Sequence, residues 1–364
     1  MKSFHRHYLE DMRIIWAITA KDLLDGFKNK TVLISIASVL FILLVYRYLP
    51  ALDRGDTLPR LVIYDQGQSS LPASLEDNPN FDLRVVSSQA ELNSYLAGMD
   101  FVVLGLVLPK DLDQRLNSTV VDLQGYTVHW AGKAEAEETR AFFEQQLEKV
   151  SGTPIRIQIE GNKVYTQANS HGLAFLAAVS LVIALTMFGV STVPNLILQE
   201  KLDRTMDAIL ISPASKGHIV IAKAITGMIY CLFAALIIFG LYWTIITHWW
   251  LAILAVLCGS LLTVSLGLLL GSALEDRQQL TLWAWFIFIP LLLPLFLSIM
   301  ENLLPENFFS IIRWIPTVAL SRAIRASFSD RTPLSTFGPE LALVLGVAFF
   351  TLMAVVWILR RSEP

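Results

Sequence analysis

Cysteine is nearly absent from this chain of 364 residues, with only Cys231 and Cys258. Both lie in apolar runs, so they read as small buried hydrophobes, and no disulfide framework is available. Charge is also scarce, at 16% of residues against 54% apolar. The longest gap runs from Ala224 to Leu274, 51 residues without one Asp, Glu, Lys or Arg. A soluble domain has nowhere to hide such a segment, whereas a bilayer takes it as two spans of roughly 20 residues each. An ATPase signature is missing too. Gly132-Lys133 lacks a preceding Gly at P-loop spacing and is followed by Ala134, so there is no Gly-x-x-x-x-Gly-Lys-Ser/Thr loop. The six histidines are scattered, and His5 with His7 makes too small a ligand set for a metal. No paired acid–base or metal groups share one depth in the apolar runs, which argues against an intramembrane enzyme.

What is present is a set of long apolar runs with a mean hydropathy of +0.55 for the whole chain. Six membrane spans are expected, at 31–49, 172–195, 219–247, 251–273, 280–300 and 340–360. All six read as helices, because backbone polar groups in hydrocarbon must be paired within the segment. His248-Trp249-Trp250 marks a membrane surface between two of them. Pro194 is expected to help turn the chain out of the second span, and Pro290 and Pro294 to kink the fifth. The span interiors look free of ionisable groups, with Lys223 about one turn in from the edge. That speaks against carriers driven by protons or ions.

Orientation follows from Lys and Arg near the spans. Twelve fall in residues 1–30, the 196–218 segment, the 274–279 loop and the 361–364 tail with its flank; four (Arg313, Arg322, Arg325, Arg331) follow the fifth span. Both termini are therefore expected to be cytoplasmic. Residues 1–30 carry Leu9, Met12, Ile15/Trp16, Thr19 and Leu23 at helical spacing, with Phe27 beyond. This predicts an amphipathic helix on the inner membrane surface; a disordered basic tail is the alternative. The segment is too long and too basic for a cleavable signal.

Residues 50–171 differ in kind. From Ala51 to His171 there are 17 Asp and Glu against 10 Lys and Arg. Strands are expected at 61–64, 83–86, 101–108, 120–123 and 155–159, with helices at 69–76, 89–98, 110–117 and 133–150. Ser88 and Glu91 form a capping box, and Pro109 suits a first helical turn. Alternating strands and helices predict an α/β domain outside the membrane. Residues 301–339 are too long for a turn and too broken to span. There a short helix over 316–328 would carry Leu320, Ile324 and Phe328 on one face and Arg322 and Arg325 on another, where the arginines could meet lipid headgroups; an interfacial helix that caps the bundle is the alternative.

The charged island at 196–218 carries the functional signal. Leu198, Leu202, Met206, Ile209 and Pro213 fall three or four apart on one face, and Glu200, Asp203, Arg204 and Asp207 lie elsewhere. Glu200 is expected near a helix start, at the positive end of its dipole. Ser212 before Pro213 reads as the N-cap of the next helix. A solvated connector is the plain alternative, but a helical stripe exceeds what a connector needs.

Glu200, Thr205, Asp207, Leu210 and Ser212-Pro213, followed by Lys223, resemble the cytoplasmic coupling helix of ABC-2 type transporter permeases. The whole plan is similar as well: interfacial helix, span, external domain, coupling helix and four further spans. One branch of that family, including drug- and sodium-efflux members, has an external domain between its first two spans. Family members often have a Gly two residues after a second acidic position, where this chain has Asp203-Arg204-Thr205. The resemblance implies an α-helical polytopic membrane protein with six transmembrane helices and an inserted extracytoplasmic α/β domain. It implies a non-enzymatic permease subunit in a bacterial inner membrane, forming half of an export pathway. Glu200, Leu202, Arg204, Thr205, Asp207, Leu210 and Pro213 would couple it to a separate ATPase subunit. That partner would bind ATP and magnesium, this chain needing no cofactor. A second permease chain, identical or not, would complete the path, with residues 301–339 helping to form its exit. Thr186, Tyr230, Thr263 and Ser265 are candidate lining groups, although such residues more often make helix–helix contacts. Drug-like, lipid-like and sodium cargo all stay open. The competing class is a membrane sensor or assembly protein with an external ligand-binding domain and an inner docking loop.

Overall fold

A computed structural model describes residues 2–26, 28, 30, 32–34, 36–38, 40, 41, 44, 58–76, 78–116, 120–167, 172–202, 215–298, 305–330 and 332–361. The 203–214 segment, with Asp203, Arg204, Thr205, Met206, Asp207, Ile209, Leu210, Ser212 and Pro213, lies outside the described residues, as do Phe27, Arg331 and the side chains of His5, His7 and Leu9.

The chain opens with helix α1 (Lys2–Gly26). An α/β region follows: β1 (Arg60–Asp65), α2 (Leu71–Leu75), β2 (Asp82–Val86), α3 (Gln89–Ala97), β3 (Leu104–Leu108), α4 (Leu112–Arg115), β4 (Val121–Val128), α5 (Lys133–Ser151), β5 (Ile155–Gln158) and β6 (Lys163–Val164). The strand order is β2-β1-β3-β4-β5, with β6 paired to the far end of β4. Among the described residues, only the β3–β4 pairing is antiparallel. Leu61, Ile63, Leu104 and Leu106 face Phe143 and Leu147 of α5 on one side, while Val62 faces Leu92 and Leu96 of α3 on the other. Burial on both faces explains the near-continuous apolar runs of β1 and β3.

The observed elements depart from expectation at their ends. β3 begins at Leu104, β4 extends to Val128 because it pairs with three strands, and the two-residue β6 is too short to leave a periodic signal. The capping box is shifted by half. Ser88 Oγ accepts from the Glu91 N–H at 3.1 Å, but Glu91 Oε2 accepts from Ser87, not from Ser88. Pro109 ends β3 and precedes the α4 cap at Asp111.

The bundle consists of α6 (Leu173–Leu202), α7 (Lys216–Leu241), α8 (Trp249–Ala273), α9 (Arg277–Leu297), α10 (Glu306–Ile312), α11 (Pro316–Ala326) and α12 (Leu334–Arg361). Among the described residues, five helices (α6, α7, α8, α9 and α12) are long and apolar enough to cross a membrane. The described residues between Lys30 and Leu44 are helical too, but the expected 31–49 span lies in good part outside the described residues. α6 does not end at Pro194. Residues Met187–Thr192 form a π-helical turn, and the helix continues for eight residues beyond the proline. The wider turn accommodates the missing N–H and the bulk of the ring. α9 likewise runs through Pro290 and Pro294. α7 runs to Leu241, with the Tyr242 N–H still donating to Ile238 O; beyond the turn that follows, the N–H groups of Thr247 and His248 both donate to Ser327 O. α12 starts at Leu334, ahead of the expected 340. Helices α6 and α8 cross closely, since a methyl group on Gly267 would collide with the Gly189 carbonyl. Small residues at such crossings let backbones approach where no water-driven force holds helices together.

α11 buries Leu320, Ile324 and Phe328 as expected, but Arg325 is buried too. Its guanidinium lies 5.4 Å from the centroid of the Phe175 ring. α11 packs against α6, α8, α9 and α12, so its last turn has no open side for Arg325 to occupy. Arg322 pairs with Glu340 at 3.3 Å.

Candidate functional site

Three helices meet where α6 ends. α7 begins at Ser215, whose Oγ accepts from the His218 N–H while His218 Nδ1 accepts from the Ser215 N–H. This cap lies three residues beyond the expected Ser212, and it leaves His218 Nε2 to reach Asp11 of α1 at 3.3 Å. One turn further, Lys223 is 1% exposed. Its Nζ lies 2.8 Å from Asp22 of α1 and 2.8 Å from Glu200 Oε1 of α6. Asp22 and Glu200 are each 5% exposed. Lys21 Nζ stands 3.8 Å from Glu200 Oε1 at the half-exposed margin.

α1 comes this close for identifiable reasons. A side chain on Gly26 would collide with the Tyr230 hydroxyl, which instead donates to Asp22 O at 3.1 Å. Thr19 Oγ1 donates to Ile15 O at 2.9 Å and lies 3.4 Å from Ala222 O. The inward face of α1 is thus Thr19, Asp22 and Gly26. Met12 and Trp16 of the expected apolar stripe are exposed, as is Leu24, whereas Thr19 of that stripe faces α7.

A buried ammonium is tolerated only when paired, and here it serves two carboxylates. Burial pushes the Asp22 carboxyl above the usual carboxylate range, against the pull of Lys223 and with a smaller push from Glu200. Glu200 stands in the last turn of α6, not at a helix start, so Lys223 and not a helix dipole stabilises it. The next residue, Lys201, reaches the other way. Its Nζ donates to the carbonyls of Gly271, Ser272 and Leu274 at 2.8, 3.0 and 3.0 Å, capping α8.

The far end of α7 meets the α/β region. His129 Nε2 donates to Ile245 O at 3.1 Å, and the His129 ring stacks on Tyr165. Thr166 Oγ1 and Thr247 Oγ1 both donate to Phe328 O, at 2.9 and 3.1 Å. About 19 helical residues separate Lys223 from this junction, roughly 28 Å at 1.5 Å per residue.

This layout fits a membrane protein driven from one end, and comparison with protein families decides which. The family model described as ABC-2 family transporter protein matches residues 30–357. The chain belongs to the ABC-2 transporter family. Comparison with curated proteins gives no match. As an ABC-2 permease subunit it is a multi-pass membrane protein that works with an ABC ATPase.

The structure sorts the residues expected to matter in this permease. Glu200 is buried, so its carboxylate faces α7 and not the surface; Leu202, two residues on, is 45% exposed. Thr186, Tyr230, Thr263 and Ser265 are all buried. The hydroxyls of Thr186, Thr263 and Ser265 donate to carbonyls of their own helices, and Tyr230 to Asp22. None of the four lines the cavity of about 150 Å³ that opens between the π-helical turn and α9, where Ser191, Asn195 and Thr281 supply polar groups beside Trp285 and Phe288. Asp22, Lys201 and the pairing role of Lys223 had escaped the sequence reading. The available signal was a lone lysine inside a span, one turn from its edge.

Proposed function

We propose that this chain forms half of the membrane pathway of an ABC-2 exporter, with the 203–214 segment docking on a separate ATPase. The observation that carries the reading is the shared ammonium. Glu200 is anchored three residues before the segment, and Lys223 ties it to α1 as well as to α7. A push on 203–214 then reaches three elements at once and moves them as a rigid body. In this reading Glu200 anchors the lever. Leu202, Arg204, Thr205, Asp207, Leu210 and Pro213 meet the ATPase, which binds ATP and magnesium. The basic flanks put both termini in the cytoplasm of a bacterial cell and the α/β region outside. The residues before 50 supply a sixth span, and a second permease chain completes the path. The cavity beside α9 is lined mostly by apolar side chains, with Ser191, Asn195 and Thr281 as its polar groups and no carboxylate among its lining residues, which suits an amphipathic or lipid-like cargo better than a bare sodium ion.

The test is purification of the tagged chain from its native membranes in mild detergent, wild type beside Glu200→Ala, with mass spectrometry of what accompanies it. A stoichiometric Walker-motif ATPase, weakened in the variant, is expected. Reproducible absence of any ATPase from the wild-type preparation, with another cytoplasmic partner in its place, would refute the exporter and favour a sensor.

A further inference from the structure

Glu200 and Lys201 are consecutive, yet they fasten to opposite neighbours. Glu200 is bound to α7 and, through Lys223, to α1. Lys201 holds three carbonyls at the end of α8, the last of them Leu274 in the three-residue link that leads into α9. A lysine at a helix C terminus is an ordinary cap when it comes from the same helix. This one comes from another helix, 70 residues earlier in the chain.

What Lys201 grips is the last turn of α8 and the start of the link into α9, the least embedded span. α9 leaves Leu282, Trp283, Trp285, Phe286, Ile289 and Leu293 exposed. Near its start, Leu280 joins Val190 and Leu198 of α6 and Leu270 of α8 in a small apolar cluster, and towards its other end Leu295 is buried in the main core. Leu291 O also accepts from Thr317 of α11. Between these points α9 borders the cavity at the π-helical turn of α6. Moving the link that Lys201 holds displaces the start of α9, and with it one wall of that cavity. Three charge-assisted bonds from one ammonium make the grip short and directional.

We propose that Lys201 is the positioning residue that delivers movement of the 203–214 segment to α9, so that Glu200 and Lys201 split one input between α1/α7 and α8/α9. The proposal deepens the exporter reading and rests on it. Lys201 touches no substrate in this role; it acts through the carbonyls it holds.

The test uses the full complex, purified through this chain and placed in nanodiscs, with a nitroxide on Leu282→Cys. Leu282 is 69% exposed on α9, while Cys231 and Cys258 are buried and stay unlabelled. Electron paramagnetic resonance line shape and oxygen accessibility are read with and without ATP and vanadate. The wild type is expected to show a nucleotide-dependent change. Lys201→Met is expected to keep its ATPase at wild-type stoichiometry and lose the change; Lys201→Arg, which can still reach the carbonyls, is expected to restore it. A purely structural cap would lower the melting temperature of the Met variant and leave the nucleotide response intact, which would overturn the proposal. An unresponsive label in the wild type would overturn it as well. If the Met variant does not accumulate, Lys201→Gln takes its place, since its shorter amide cannot span all three carbonyls, and the same two outcomes apply. Absence of the ATPase from the wild-type preparation is a distinct result, visible before any labelling; it removes the exporter reading and the proposal with it.

Discussion

Lys223→Met keeps most of the side-chain length and removes the ammonium that Asp22 and Glu200 share. Each carboxylate then either stays charged in the interior or takes up a proton. Protonating a carboxyl of ordinary pKa near 3.9 at pH 7 costs about 4 kcal/mol, from roughly 1.36 kcal/mol per unit over about three units. That route caps the loss per group and falls within the roughly 3–5 kcal/mol typical of breaking a buried pair from one side. Glu200 retains Lys21 at 3.8 Å, so most of the loss falls on Asp22 and on the docking of α1. A loss of about 4 kcal/mol is roughly a thousandfold in the docking equilibrium. Because the escape is protonation, the loss shrinks by about 1.4 kcal/mol for each unit of pH below neutrality. Trypsin cleavage after Arg13 and Lys21, followed from pH 8 to pH 6 in detergent, reads the release of α1. The wild type should resist cleavage and the variant should be cut fastest at pH 8. Combining Lys223→Met with Asp22→Asn and Glu200→Gln should recover much of the resistance, because no buried charge is then left unpaired. Equal cleavage of wild type and variant, or a loss independent of pH, would refute the reasoning.

Gly267→Ala should lower the melting temperature through a collision with the Gly189 carbonyl, an overpacking loss of about 1–3 kcal/mol. Gly346→Ala, where a methyl group meets nothing within 4 Å, should be neutral or stabilising by up to about 1 kcal/mol in the same thermal assay. The junction between the α/β region and the bundle should loosen in acid. Burial holds the His129 imidazole below its ordinary pKa, with Lys163 of β6 acting in the same direction and Asp330 opposing it. The folded state therefore keeps His129 neutral, and its contribution is complete above about pH 6.5 and lost as the pH falls through the lower folded value. Hydrogen exchange across residues 242–248 should rise between pH 7 and pH 5 beyond the intrinsic rate change. In His129→Gln, which keeps a donor for Ile245 O, that excess should disappear.

Five of the six expected spans and the sheet were legible because each has a period or a length that physics imposes. β1 and β2 were placed within a residue, since burial and flanking turns mark them at both ends. The helix ends were less legible because they depend on partners distant in sequence. α7 ends at Leu241, short of the expected 247, and Thr247 and His248 bond instead to Ser327, some eighty residues later. α6 passes Pro194 because a π-helical turn precedes it, and nothing in the local composition announces that turn. Arg325 was expected on a different face from Leu320, Ile324 and Phe328, yet it is buried with them. Its burial follows from packing on several sides of α11, which no single-helix pattern contains.

The charge cluster was the hardest part to read, and α1 shows why. The apolar stripe of an amphipathic helix faces the protein interior when the alternative is water. Beside a bilayer the alternative is lipid, and apolar residues face outward equally well. Met12, Trp16 and Leu24 are accordingly exposed on α1, while Thr19, Asp22 and Gly26 meet α7. Asp11 continues that polar line toward His218. On such a helix the polar and small positions at helical spacing mark the face toward the protein. An acidic residue on that face calls for a buried cation on the neighbouring span. Lys223, 201 residues away, is that cation. It sits one turn inside the span, and at 1% exposure it reaches two carboxylates instead of water.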